Sequence, residues 1–496
     1  MTETVKGANN ISTSLDDDRP ENPSPPPTVG QRIIRLPRLL IKILFPSTIF
    51  ASFFVSSIIP SMANSLIPMF FAGNIAAAES LAVTSQFMFI NIVLKVIHEG
   101  VGNSLFHFVG AHYERNKPLA ISAFNLSLLV LLIAGMTLTV MILLFTPQFV
   151  KLIDTPASIS DATKHYFYTS ALSFIPALFT TAFTNYLFIS TSKWLALAQV
   201  VIVLVSFSIN FFTFGRQSIS LHWSVDKLGI YNVVQSTATM LVSVGFVLLT
   251  EKMGPIAFFM KTSFIKDLKT NFREFFSVSW GNFADSIVRN FFYFFVTLKF
   301  INHLGKDISG AWNLFNSIIW GIILLPAFAV ANLIRVQIGH QCSKSTIKEV
   351  IRESGICLLA WMIVMIIVTG TVWSTLASFF SKSNQKIALI SENMLHDMGW
   401  VFVIFAYNNA VNSFFMATGK AQYIFYQSLA ANLIVYLLPW ILNLFDILTP
   451  TYWLIMGLYI AGMLISCCLT SYFGVIVWKL YSDDQLKEEN KIVKNP

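Results

Sequence analysis

Apolar residues fill twelve successive stretches between about Ser47 and Leu480, most of them 20 or more residues long. The stretch from Leu119 to Phe145 holds no charge at all, and a helix needs about 20 residues to cross a bilayer. A barrel would instead alternate over segments of about ten residues, so the pattern predicts an all-α integral membrane protein. The predicted spans are 47–69, 81–106, 119–145, 166–189, 194–214, 229–250, 275–301, 308–334, 355–380, 399–419, 423–445 and 451–480.

Composition strengthens this reading. With 55% hydrophobic residues, 46 Phe and 12% charged residues, a soluble globule could not cover its own apolar surface. Residues 1–30 differ sharply, combining Asp16, Asp17 and Asp18 with the run PSPPP, and predict a disordered tail. Nothing there has the build of a secretory signal. Loops after the even-numbered spans carry 13 Lys and Arg against 7 after the odd-numbered ones. The excess of positive charge stays inside, so both termini are expected on the cytoplasmic face of a multi-pass cell-membrane protein. The net charge of +8 is then a topology signal, and no nucleic acid partner is expected. Cys342, Cys357, Cys467 and Cys468 have no metal-ligand spacing, and no disulfide is expected.

Three matches at near-constant offset reveal an internal repeat. AGNIAAAESL from Ala72 pairs with LGKDISGAWNL from Leu304, GAHYERNKPLAI from Gly110 with GHQCSKSTIKEV from Gly339, and NYLFISTSK from Asn185 with NSFFMATGK from Asn412; the offsets are 232, 229 and 227. Six spans per half make the repeat parallel. The expected organisation is a cytoplasmic tail (1–44), a six-helix bundle (45–250), a basic cytoplasmic linker acting as hinge (251–274), a second six-helix bundle (275–480) and a cytoplasmic tail (481–496).

Charges inside membrane spans are costly and mark candidate sites. On the second span, Asn91, Lys95, His98, Glu99 and Gly102 share one face by helical spacing; on the seventh, Asn282, Asp285, Arg289 and Tyr293 form a similar stripe. Lys95 with Glu99 and Asp285 with Arg289 are four residues apart, so each can form an ion pair. Asn210, Asn313 and Asn316 add polar cavity candidates, although hydrogen bonding between helices accounts for such residues without any ligand. Pro60, Pro68 and Pro326 are candidate kinks.

GNIAAAESLA after the first span, GVGNSLFHFVGAHYERNKPLA from Gly100, AWNLFNSIIWGIILLPAFAV and RVQIGHQCSKSTIKE in the second half, and SINFFTFG around Asn210 together resemble the multidrug and toxic compound extrusion (MATE) transporters of the flippase superfamily. The resemblance covers most of residues 45–480. It implies a non-enzymatic secondary transporter that exports amphipathic, cationic small molecules by proton- or sodium-coupled antiport with alternating access. It also implies a monomer whose only other partner is the bilayer, without a cofactor beyond the coupling ion. Two departures stand out: Pro68 occupies the place of an acidic first-span residue and Phe214 that of an Asp following Asn210. Those departures favour an alternative, a lipid or glycan flippase of the same superfamily; a membrane enzyme acting on lipid ranks lower. If coupling persists, Asp285, Arg289, Glu99 and Lys95 are its candidate carriers, with Asp285 ahead of Glu99. No metal ligand set is evident.

Overall fold

A computed structural model describes residues 43–45, 48–61, 94–152, 160–215, 217–224, 227–260, 268–340, 344–381 and 385–494. The N-terminal tail, Pro68, Gly73 and Asn91 lie outside these residues. Within them the chain is helical. The first half comprises α1 (Thr48–Ser61), α2 (Asn103–Phe108), α3 (Lys117–Leu152), α4 (Ser160–Ala171), α5 (Phe174–Ile189), α6 (Leu195–Phe214) and α7 (Leu228–Glu251). A short α8 (Pro255–Phe259) follows. The second half comprises α9 (Leu268–Phe292), α10 (Lys306–Ile318), α11 (Leu325–Gly339), α12 (Lys344–Phe380), α13 (Gln385–Met398), α14 (Val401–Ala417), α15 (Gln422–Asn432) and α16 (Tyr452–Lys494). π-Helical turns interrupt four of these runs, at His98–Gly102, Tyr293–Leu298, Ile319–Ile323 and Leu433–Leu437.

Six helices among the described residues are long and apolar enough to cross a bilayer, and three bent pairs raise the number to nine. Only 17 to 33% of each of the six is buried. Side chains such as Ile133, Leu144, Leu204, Leu241 and Ile367 therefore face outward, an apolar belt that only lipid would cover. The seventh predicted span falls on α9, whose polar stripe keeps it out of this set. The first two predicted spans lie partly outside the described residues.

The bends have local causes. α4 and α5 meet at 49°, where Ser173 Oγ donates to Ser170 O at 2.6 Å and Pro176 follows. The run Gly310–Ile323 meets α11 at 50°, with Pro326 in the first turn of α11, where a missing N–H costs nothing. α13 and α14 meet at 64°.

The halves use the same pairings. In the first, α1 packs on α6, α5 on α7, α6 on α7, and α3 on both α4 and α5; in the second, α9 packs on α15, α14 on α16, α15 on α16, and α12 on both α13 and α14. Between them, α1 meets α11, while α9 meets α2 and the π-turn before it. Two boundaries differ from the sequence reading. α16 continues to Lys494 because residues 481–494 are rich in Lys and Glu, with Gln485 and Leu486 among them, all good helix formers. The linker is anchored at its start: Phe258 is fully buried, its carbonyl accepts from Asn125 Nδ2 at 2.9 Å, and its ring meets Phe124 and Tyr186.

Candidate functional site

The polar residues of α9 meet the π-turn of the second span along the seam between the halves. Close approach is possible because Gly100 has no side chain there; a Cβ would lie 2.4 Å from the Phe283 ring. Arg289 reaches across, with Nη2 2.7 Å from Glu99 Oε2 and 2.9 Å from Asp285 Oδ2, while Nε donates to the same Asp285 oxygen at 3.1 Å. Ser286 Oγ adds a 2.7 Å hydrogen bond to Glu99 Oε2. Lys95 Nζ stands 3.8 Å from Glu99 Oε1 and 5.8 Å above the Trp320 ring. One guanidinium thus bridges two carboxylates from different halves, with a second cation beside them.

Burial within this group is uneven. The Asp285 side chain is 5% exposed, whereas Arg289 is 45% and Lys95 52% exposed. Asp285 Oδ1 is buried and makes no hydrogen bond with the described residues. One turn away, Asn282 Nδ2 donates to Ser104 Oγ at 3.0 Å, and Ser104 Oγ donates to Gly100 O at 2.7 Å, which closes a second polar link across the seam.

Other sequence candidates are dispersed. His98 lines a cavity of about 270 Å³ with Leu94, Lys95, Ala177, Leu178 and Thr181, so it faces α5 although Glu99 faces α9. The π-turn that begins at His98 changes the angular step on which the shared face relied. Asn316 donates to Trp312 O at 2.8 Å and accepts from Trp320 Nε1 at 3.2 Å, steadying the ring beneath Lys95. Tyr293 accepts from Trp312 Nε1 at 3.4 Å, within the second half. Asn210 Nδ2 is bonded to Ser206 O at 2.8 Å, and Phe214 packs edge-on against Tyr231 with centroids 5.0 Å apart. Asn313 lies on α10 and Pro60 near the end of α1.

Sequence reading missed Arg335. The eighth predicted span ended at 334 and left it in a loop, whereas α11 continues to Gly339 and carries it inside the helix. Its Nε donates to Ser413 Oγ at 3.1 Å, and Nη1 donates to Asn103 Oδ1 and Asn332 Oδ1 at 3.3 and 3.4 Å. Asn103 and Asn332 are 229 apart, the offset of the repeat; that spacing was the signal available.

Toward the ends of α2 and α11 the halves close tightly. A Cβ on Gly339 would come within 2.7 Å of Phe106 O, and one on Gly110 within 3.5 Å of Gly339 O. His107 Nδ1 lies 2.8 Å from Ala417 O and His340 Nε2 3.1 Å from Ile189 O; facing carbonyls, both nitrogens donate. His340 Nδ1 faces Glu114 at 3.7 Å and its ring stacks on Tyr113, whose hydroxyl donates to Glu251 Oε1 at 3.1 Å. Lys117 completes the cluster, 3.1 Å from Glu251 Oε2. Burial pushes the His340 imidazole below its usual range, and Glu114 only partly offsets this. Gly419 fits beside His107 with φ +71°, a left-handed conformation that glycine adopts without strain, and a Cβ there would lie 2.7 Å from His107 Nε2.

The described residues form an all-helical, multi-pass membrane protein with charged groups meeting at an internal seam. Residues 286–441 match the family model MatE. The fold matches a crystal structure of a variant of the Vibrio cholerae MATE transporter VcmN at TM-score 0.70 and 15% identity, over 91% of this chain and 98% of that one. A Pyrococcus furiosus transporter of the MOP superfamily, described as having a binding pocket of reverse polarity, matches at TM-score 0.67 and 13% identity, over 90% and 97%. An outward-facing multidrug resistance MATE transporter matches at TM-score 0.67 and 13% identity, also over 90% and 97%. Comparison with curated protein sequences gives no match. The MatE model is thus carried by the second half of the chain, and the fold over about nine-tenths of it is the one seen in MATE transporter structures.

Proposed function

We propose that this protein is a secondary active transporter that exports amphipathic small molecules by alternating access between two six-helix halves, twelve spans in all, with Asp285 carrying the coupling proton or sodium ion. The observation that carries this reading is the bridge of Arg289 to both Asp285 and Glu99. Because it joins two halves that must separate and re-form contacts, each change of state has to break or remake a charge pair. The unbonded Asp285 Oδ1 is where a proton or Na⁺ would add, and its arrival would weaken the hold on Arg289. Transport is thereby linked to the gradient.

In this reading the protein is a monomer in the cell membrane with both termini cytoplasmic. The closed end around His107, Gly110, Gly339 and His340 is then the cytoplasmic gate, shut here while Arg289 and Lys95 remain accessible at mid-span. Pro68 and Phe214 keep a lipid or glycan flippase as the second reading, since the carboxylates expected for coupling in the first half are not there.

Purified protein in proteoliposomes with an imposed pH or sodium gradient tests the proposal. Addition of an amphipathic fluorescent probe should dissipate the gradient of one ion and move the probe. Movement of a labelled lipid headgroup with neither gradient affected would establish the flippase instead.

A further inference from the structure

We infer that the cleft between the halves takes an anionic amphiphile, an apolar body bearing a carboxylate, phosphate or sulfonate head, and that Arg335 holds the head. This rests on the transport reading above and reverses the cationic cargo expected from the sequence. Among the described residues three cations, Lys95 just before the π-turn of the second span, Arg289 on α9 and Arg335 on α11, stand against two carboxylates, Glu99 and Asp285. Arg289 engages both carboxylates, and Lys95 shares Glu99. Arg335 has no carboxylate within ion-pair distance among the described residues. Among the described residues the surplus is one positive charge.

Its setting is that of a binding group. Ser413 on α14, Asn103 on α2 and Asn332 on α11 hold the guanidinium through Nε and Nη1 with neutral oxygens, and the Phe106 ring lies 5.7 Å from its centre. Nη2 makes no hydrogen bond with the described residues. A guanidinium keeps its charge at neutral pH, and its fork matches the two oxygens of an oxyacid. A buried cation whose hydrogen bonds all go to neutral oxygens is stabilised by an arriving anion, and the same surplus repels a cationic cargo. Phe283 and Trp320, both half-buried, give the apolar body something to pack against. A free amphiphile and an anionic lipid share this chemistry.

The test uses the full-length protein in nanodiscs with three dansyl-labelled amphiphiles of equal chain length, whose heads are a carboxylate, a neutral amide and a trimethylammonium. The carboxylate should bind about tenfold more tightly than the ammonium, a difference of about 1.4 kcal/mol. Arg335→Gln should bring the carboxylate-to-amide ratio close to one, while Arg335→Lys, which keeps the charge but loses the fork, should retain part of it. Equal or tighter binding of the ammonium by the unaltered protein overturns the inference, as does an unchanged ratio in folded Arg335→Gln. The ranking by the unaltered protein decides the charge even if Arg335→Gln does not fold. In proteoliposomes, passage of the carboxylate probe supports a free amphiphile, and passage of labelled phosphatidylglycerol supports an anionic lipid. If nothing crosses, the transport reading fails, while the nanodisc ranking still decides the anion site.

Discussion

The first half and the second half place their charge differently, and the contrast is sharpest between the Phe214 pocket and the Asp285 seam. Phe214 ends α6 among Tyr231, Trp223, Phe174 and Leu228, an apolar pocket where the resemblance led one to expect an acid. Asp285 and Arg289 instead stand on α9 where it meets the π-turn of the opposite half. A carboxylate inside one bundle can bind an ion without sensing the other bundle, whereas one tied to a bridging arginine senses their separation directly. The repeat has kept the helix pairings, while its charged groups meet at the seam.

The strongest attack on this comparison is Asp285→Asn, which should lower gradient-driven export at least about tenfold, with the protein still folded by size-exclusion and thermal unfolding. Restoration of export in the double variant with Arg289→Gln would reduce the pair to structural neutralisation and remove the distinction between the halves. Phe214→Asp comes next. An unpaired carboxylate in that pocket should cost about 3 kcal/mol, visible as a lower Tm, and should not restore coupling to Asp285→Asn. Gained coupling would mean the first half retains an ion site.

Gly281→Ala sharpens the packing side of the comparison. Its Cβ would fall 2.5 Å from the Gln422 backbone nitrogen, and backbone cannot yield as a side chain can, so α9 and α15 must part at a cost of about 1–3 kcal/mol. Gly245→Ala on α7 has nothing within 4 Å and should be neutral or slightly stabilising in the same thermal assay.

The smallest effect is one of pH at the closed gate. Because His340 is pushed below its ordinary value of 6.5, the closed state binds its proton less readily than an open, hydrated one. The closed form therefore keeps its full advantage above that value and loses it as pH falls below. Crosslinking of paired cysteines across the α2 and α11 ends should slow as pH is lowered from about 7.5 to 5.5, and His340→Gln should flatten the profile. Glu114 and Tyr113 face the ring, with Glu251 and Lys117 behind Tyr113, and these groups set the residual slope.

Apolar run length alone determined the class of fold, because a bilayer leaves the backbone few alternatives. Helical spacing likewise placed Asp285 beside Arg289 and Lys95 near Glu99, since contacts between residues four apart depend only on the helix. Tertiary structure decided what those pairs meet. That Arg289 reaches Glu99 depends on Gly100 allowing α9 against the second span; that His98 turns toward α5 depends on a π-turn with no mark in hydropathy. Arg335 was lost to a boundary error of five residues, and its neutral partners come from three helices distant in sequence. Local periodicity reports which face a residue occupies, and only packing reports which charge waits on the other side.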